Sequence, residues 1–151
     1  MGQEISKERQ EYLMKEYSKG FIAFCGFRPI KIGQGLMESR VDLREEHRQQ
    51  DGFVHAGMMA TMADHTAGYA AFTMVAENLR ILTVEFKINF LRPAYGQSLA
   101  CRARVIKPGR KVLICQAEVY DVRKNEEVMV AIALATMAAV PDKDIDNNPE
   151  P

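Results

Sequence analysis

Apolar and polar residues recur with a changing period along the 151 residues, and each change of period marks an element. Residues 5–19 are charged, with Tyr12, Leu13 and Tyr17 forming one apolar stripe. Ser6 is placed to cap this segment and Gly20 to stop it, which predicts an amphipathic helix. Residues 21–26 form a short apolar bridge. Residues 30–46 contain Gly33 and Gly35 and then alternate. Leu36, Met37, Ser39, Val41 and Leu43 are set among Glu38, Arg40, Asp42 and Arg44, as in a half-buried strand. A polar turn at 49–52 leads into residues 55–77, which read as one helix. It lacks proline, is rich in alanine and glycine, and is apolar on every side. Such a helix is expected to be buried all round.

Four strands are predicted after it. In residues 82–90, Val84, Phe86, Ile88 and Phe90 share one face, and Thr83, Glu85, Lys87 and Asn89 share the other. A turn at 92–96 precedes residues 98–107, where Leu99, Cys101, Ala103 and Val105 oppose Arg102 and Arg104. Pro108-Gly109 marks a hairpin into residues 111–122. After a polar turn at 123–126, residues 128–140 are nearly all apolar, as in a strand buried on both faces. The acidic, Asn/Pro-containing residues 141–151 read as a frayed, flexible tail. The expected architecture is α+β: a single domain over 1–140 in which an antiparallel sheet wraps one long central helix. Small helix residues suit a curved sheet that approaches the helix backbone.

Composition narrows the function classes. Lys plus Arg total 20 and Asp plus Glu total 20, so formal net charge is zero. That balance gives no electrostatic reason to expect nucleic acid or an anionic membrane as partner. Three cysteines without a CxxC argue against a disulfide framework and suit a reducing, cytoplasmic setting. The charged first 20 residues lack the apolar core of a signal peptide. Gly2 and Ser6 meet a myristoylation pattern only as far as chance allows. The apolar run 53–75 carries Asp64 and His65 at its middle. An acidic charge there costs roughly 3 kcal/mol on the membrane-insertion scale, so the run reads as a core helix.

Asp64 is the most informative residue. Aspartate is a poor helix former and is rarely buried without a partner. In this helix it is an exposed surface residue, a structural hydrogen-bonding group, or a catalytic carboxylate whose pKa burial would raise toward that of a general base; the last is the reading favoured here. His55, Ala56 and Gly57 open the same helix. The first backbone N–H groups there lack helical partners and, with the helix dipole, suit a developing oxyanion. A helix start in which His55 merely caps or packs fits the local sequence equally well. Ala56 and Asp64 are separated by about 12 Å along the axis, too far to act on one reacting group. If both act, the site is shared between two subunits, which predicts a two-fold dimer. Gln49 and Gln50 precede the helix, where an amide could orient a carbonyl or water, and Thr83 starts a strand. Each also has an ordinary reading as turn or strand residue.

Other chemistries find little support. The three histidines (His47, His55 and His65) lack metal-ligand spacing, and the cysteines do not cluster with them. No nucleophile elbow, phosphate loop or dinucleotide fingerprint is present, so neither metal nor cofactor is expected. Lys107, Arg110 and Lys111 flank a hairpin, as solvated surface or as a phosphate contact.

The run QQDGFVHAGMMATMADHTAGYAA at 49–71, with TVEFKINFLRPAYGQSLACRARVIKPGRKVLICQAEVYD downstream, resembles hotdog-fold acyl-CoA thioesterases of the phenylacetic-acid-pathway (PaaI-like) type. The similarity spans roughly residues 20–140. It implies a hotdog fold and hydrolysis of an acyl-CoA to free acid and CoA. It further implies that Asp64 is the carboxylate base or nucleophile and that the Ala56 N–H, with that of Gly57, polarises the thioester carbonyl. Gln49 and Thr83 would help to orient substrate or water. His55 would belong to the substrate-binding set, and Lys107, Arg110 and Lys111 would meet the CoA phosphates. The family's His-Gly-Gly reads His-Ala-Gly here, which keeps the N–H and adds a methyl group. A homodimer with shared sites, pairing into a homotetramer, is also implied. Two other functions remain compatible with such a chain. One is an enoyl-CoA hydratase or dehydratase, although no Asn-Pro lies between Asp51 and His55. The other is a non-catalytic acyl-CoA-binding protein.

Overall fold

The computed structural model describes residues 4–146; Gly2 and the last five residues, about which the sequence raised expectations, lie outside them. The first helix, α1 (Lys7–Tyr17), starts where its cap requires: the Ser6 hydroxyl accepts the Arg9 N–H at 3.1 Å. Its buried stripe is Arg9, Leu13 and Tyr17, whereas Tyr12 is 37% exposed. The expected stripe is thus corrected at one position. Arg9 is accommodated because its guanidinium lies over Phe72, 4.8 Å from the ring centroid.

Residues 21–26 are helical rather than a bridge. The short α2 (Gly20–Cys25) begins at the glycine expected to be a stop, and Gly26 ends it at φ +79°. There the Gly26 N–H reaches back to the carbonyls of Ile22 and Ala23.

The single predicted strand over 30–46 is a hairpin. β1 (Arg28–Gly33) and β2 (Leu36–Asp42) pair antiparallel around Gln34 and Gly35, with Gly35 at φ +70°. A 3₁₀ turn (Glu45–His47) leads to the long helix α3 (Ala56–Phe72). Then follow β3 (Leu79–Phe90), β4 (Ser98–Lys107), β5 (Val112–Arg123) and β6 (Glu126–Pro141). The six strands form one antiparallel sheet in the order β1-β2-β4-β5-β6-β3. Residues 142–146 form a further short helix, α4 (Asp142–Asp146), where a frayed tail was expected. Arg80 pairs with its first residue, Asp142, at 3.0 Å.

The core lies between the concave face of this sheet and α3. Met59, Met62, Ala63, Thr66, Ala67 and Ala70 of α3 meet Met37, Leu99, Cys101, Leu113, Ala117 and Met137. Alanines at 131, 133 and 135 on β6 leave room for the sheet to close on the helix. Two expectations change here. α3 is not covered all round, because Ala60, Thr61, Asp64, His65, Gly68 and Tyr69 are only half-buried. β6 is buried on its inner face alone, with Leu134 on the outer face 50% exposed. α3 also stops at Phe72 rather than near 77.

One irregularity in β3 bears on the site. Thr83 pairs with Met137 and Glu85 with Thr136, so Val84 is an extra residue in the ladder. This bulge changes the phase of the alternation. Thr83 therefore lies on the helix-facing side with Phe86 and Ile88, not on the polar face with Glu85 and Lys87.

Candidate active site

Asp64 sits at the middle of α3, where the helix emerges beside β3. The Thr83 hydroxyl donates to its Oδ1 at 2.7 Å. The carboxylate is half-buried rather than enclosed as the sequence reading expected. It forms part of the wall of two cavities. One, of about 510 Å³, lies toward α2 and is bordered by Phe21, Ile22, Ala60, Thr61, His65 and Phe86. The other, of about 210 Å³, runs past Gly68 and Tyr69 to Phe72, Arg80 and Ile81. An acidic group fixed by one hydroxyl at the junction of two hollows can attack a carbonyl or take a proton from water.

His65, next in sequence, has a structural task. Its Nε2–H donates to the Tyr17 carbonyl at 2.9 Å, and its ring stacks edge-on against Tyr17, with centroids 4.5 Å apart. Burial holds its pKa below the ordinary histidine value, against smaller upward pushes from that carbonyl and from Asp64. Beneath it, Thr66 shares hydrogen bonds with Tyr17 (3.0 Å) and Ser39 (2.8 Å), so these buried hydroxyls are satisfied. Burial pushes the Tyr17 phenol well above its usual range and the Cys101 thiol up to about 12. With Cys115 raised to about 11 and all three cysteines buried, none is poised as a nucleophile.

At the start of α3, His55 is the N-cap and its Nδ1 accepts the Gly57 N–H at 2.8 Å. A Cβ on residue 57 would stand 3.0 Å from that nitrogen, so the glycine admits the folded ring. The consequence corrects the pair of donors expected here: the Gly57 N–H is already engaged. The exposed Ala56 N–H makes no hydrogen bond among the described residues and is the donor left for a ligand. Nearby, the Gln49 side-chain oxygen accepts the Asp51 N–H, and its backbone pairs with Phe53 across the turn. That leaves the Gln49 amide NH₂ unbonded among the described residues. Gln50 is exposed, and its side-chain amide donates to Asp51 at 3.4 Å.

The expected site residues thus fall into three places. Asp64 and Thr83 are together. His55, Ala56, Gly57 and Gln49 lie at the helix start, and none of them borders either cavity beside Asp64. Lys107, Arg110 and Lys111 are exposed on the β4–β5 turn. Pro108, Gly109 and Arg110 there flank a hollow with Met74, Val75 and Ala76, just beyond the C-terminal end of α3. Among the described residues no group of three or more His, Cys, Asp or Glu side chains is placed to hold a metal ion. No helix of the described residues is long and apolar enough to cross a membrane.

Gly68, Tyr69, Phe72 and Arg80 did not emerge from the sequence as site residues. A signal was available at Gly68. It lies four residues after Asp64 on the same helix face, and glycine inside a helix costs about 1 kcal/mol relative to alanine.

Comparison with known proteins follows this geometry. Residues 51–128 match the model of the Thioesterase superfamily. A Saccharolobus solfataricus protein, provisionally named an esterase, is 30% identical over 98 residues, covering 65% of this chain and 69% of that one. The crystal structure of a thioesterase family protein from Silicibacter pomeroyi superposes with TM-score 0.85. It is 37% identical and covers 87% of this chain and 98% of its own. The PaaI protein of the E. coli phenylacetic acid degradation operon shares the fold, with TM-score 0.79 and 18% identity over 90% of this chain and 96% of its own. With its antiparallel sheet wrapped on one long helix and an acidic residue at that helix's exposed edge, the chain belongs to the hotdog-fold thioesterase superfamily.

Proposed function

We propose that this protein hydrolyses acyl-CoA thioesters at two sites shared across a homodimer. The observation that carries the reading is the separation of two complementary features. The Thr83-held carboxylate of Asp64 and the unengaged N–H of Ala56 are eight residues, about 12 Å, apart on one helix. Neither can serve the other's substrate within one chain. A two-fold partner supplies the missing half to each. β3, the strand carrying Thr83, ends the sheet with a free edge of 12 residues, and Val84 on it is 65% exposed. Such an edge invites pairing with a second copy.

In this reading the thioester carbonyl accepts the Ala56 N–H, helped by the positive end of the helix dipole. Asp64 of the other subunit attacks the carbonyl carbon or removes a proton from attacking water. Thiolate leaves as CoA, and water completes the acid product. Thr83 orients the carboxylate. The free Gln49 amide meets substrate or water beside Ala56, and the His55 ring fixes the shape of the helix start. If the two-fold axis lies across the helices, as when two β3 edges pair antiparallel, the two α3 helices run antiparallel. That brings one subunit's Lys107, Arg110 and Lys111 toward the other's 49–55 loop, where exposed cations suit the CoA phosphates. Assembly of two dimers into a tetramer and a cytoplasmic location complete the reading.

Thiol release from a panel of acyl-CoAs, compared between wild type and Asp64→Asn, tests it. The variant should lose about 10²–10⁴-fold in kcat with its association state unchanged. Equal rates in the two proteins, or enoyl-CoA hydration in place of thiol release, would overturn it.

A further inference from the structure

The smaller cavity beside Asp64 has a feature that packing does not explain. Gly68 faces it one helical turn beyond the carboxylate, at an ordinary φ. A methyl group there would meet a single neighbour, Met137 Cε, at 4.0 Å. Neither backbone conformation nor crowding therefore requires glycine, and alanine would suit the helix better. The far end of the cavity, by contrast, is firmly built. Phe72 lines it there, with the guanidinium groups of Arg9 and Arg80 at 4.8 and 5.8 Å from its ring centroid. Arg80 is itself anchored to Asp142 at 3.0 Å. Tyr69 stacks on Phe72 and on His65, with centroids 5.8 and 4.8 Å apart.

We infer that Gly68 is the open floor of the acyl-chain pocket, and that the Phe72 wall restricts the enzyme to compact acyl groups. The inference rests on the thioesterase reading, since the group bound there is the acyl part of the substrate that Asp64 attacks. The cavity holds about 210 Å³. An enclosed space of about 150 Å³ accepts a benzene ring, so this hollow, which is open on one side, has room for a single ring or a medium-length chain. From Asp64 to Phe72 is about 12 Å along the axis, so an acyl chain laid along this hollow meets the Phe72 ring within that length. The lining is mixed: Tyr69, Phe72 and Ile81 offer apolar surface, and Asp64, His65, Arg80 and Thr83 are polar.

The test uses Gly68→Ala and Gly68→Leu in the full chain. Two readouts are taken: kcat/KM for octanoyl-CoA relative to acetyl-CoA, and calorimetric binding of the unreactive S-octyl and S-ethyl CoA thioethers. The octanoyl-to-acetyl ratio should fall tenfold or more in Gly68→Leu and by less in Gly68→Ala. The S-octyl compound should lose its affinity advantage in step. Gly68→Ala should also melt higher, by about 2–4 °C. A raised melting point with an unchanged ratio would overturn the inference, leaving only helix propensity. A changed association state in either variant would do the same, because the glycine would then be a contact between subunits. Binding of S-octyl CoA that depends on residue 68, without turnover of any thioester by wild type, would sink the hydrolase reading and keep the pocket. Failure of wild type to bind either thioether would sink both.

Discussion

Asp64 and Thr83 meet only because β3 carries one residue too many before the helix-facing run. In a regular strand Thr83 would face outward with Glu85 and Lys87, and the carboxylate would lack its hydroxyl partner. The hydroxyl holds one orientation of the acid, so its loss should reduce turnover more than binding. Thr83→Val is expected to lower kcat by about tenfold or more with KM little changed, the effect of one lost charge-assisted hydrogen bond of about 1.5–3 kcal/mol. A raised KM with normal kcat would show that Thr83 contacts substrate instead. Asp64 and the His55–Gly57 start were legible in the sequence because each breaks its local pattern: an acid in an apolar run, and a histidine before small residues. A capping His55 was one of the two readings the sequence offered; that its ring takes the Gly57 N–H in particular depends on a rotamer, which no residue pattern encodes. The bulge was equally hidden, because Val84 suits a strand whichever side it faces.

At the scale of elements, α3 and the four strands after it were readable from their periods. The β1–β2 hairpin was not. Before Gly33 the run has only a few alternating residues, and β1 is an edge strand with an irregular burial pattern. α2 was missed because its six residues give less than two turns of periodicity. α1 is tied to α3 by a group that titrates. The His65 ring donates to the Tyr17 carbonyl, and burial lowers its pKa. His47, 3% exposed, is lowered in the same sense by burial and then by Arg44. For both, the unfolded chain binds a proton more readily than the folded one. Their contribution to stability is complete above the unfolded histidine pKa of about 6.5 and is lost as pH falls through the lower folded value. The urea midpoint should therefore drop between about pH 7.5 and about pH 5.5, and less so in His65→Gln. A midpoint flat across that window would mean that neither ring is held neutral by the fold.

For the whole molecule, the sequence announced a curved sheet on a small-residue helix. Spacing alone also set Ala56 and Asp64 about 12 Å apart on that helix, so that, if both act, they act from different chains. It did not reveal that α3 stays open on the β3 side, because a helix apolar all round looks the same whether a sheet or a second subunit covers it. The apolar second face of β6 misled for the same reason: outward Ile132 and Leu134 resemble core residues in a linear pattern.

The proposal of a site shared between subunits is tested most directly by mixing two disabled proteins. Asp64→Asn removes the carboxylate. Ala56→Pro removes only the N–H, since proline suits the first helical position and the extended His55 before it. Each variant alone should be nearly inactive while remaining a dimer. After subunit exchange, half of the dimers are mixed, and each of these rebuilds one intact site out of two. About a quarter of wild-type activity should return, by the statistics of a two-fold dimer. A mixture no more active than its components, with exchange demonstrated by mass, would contradict a site shared between subunits.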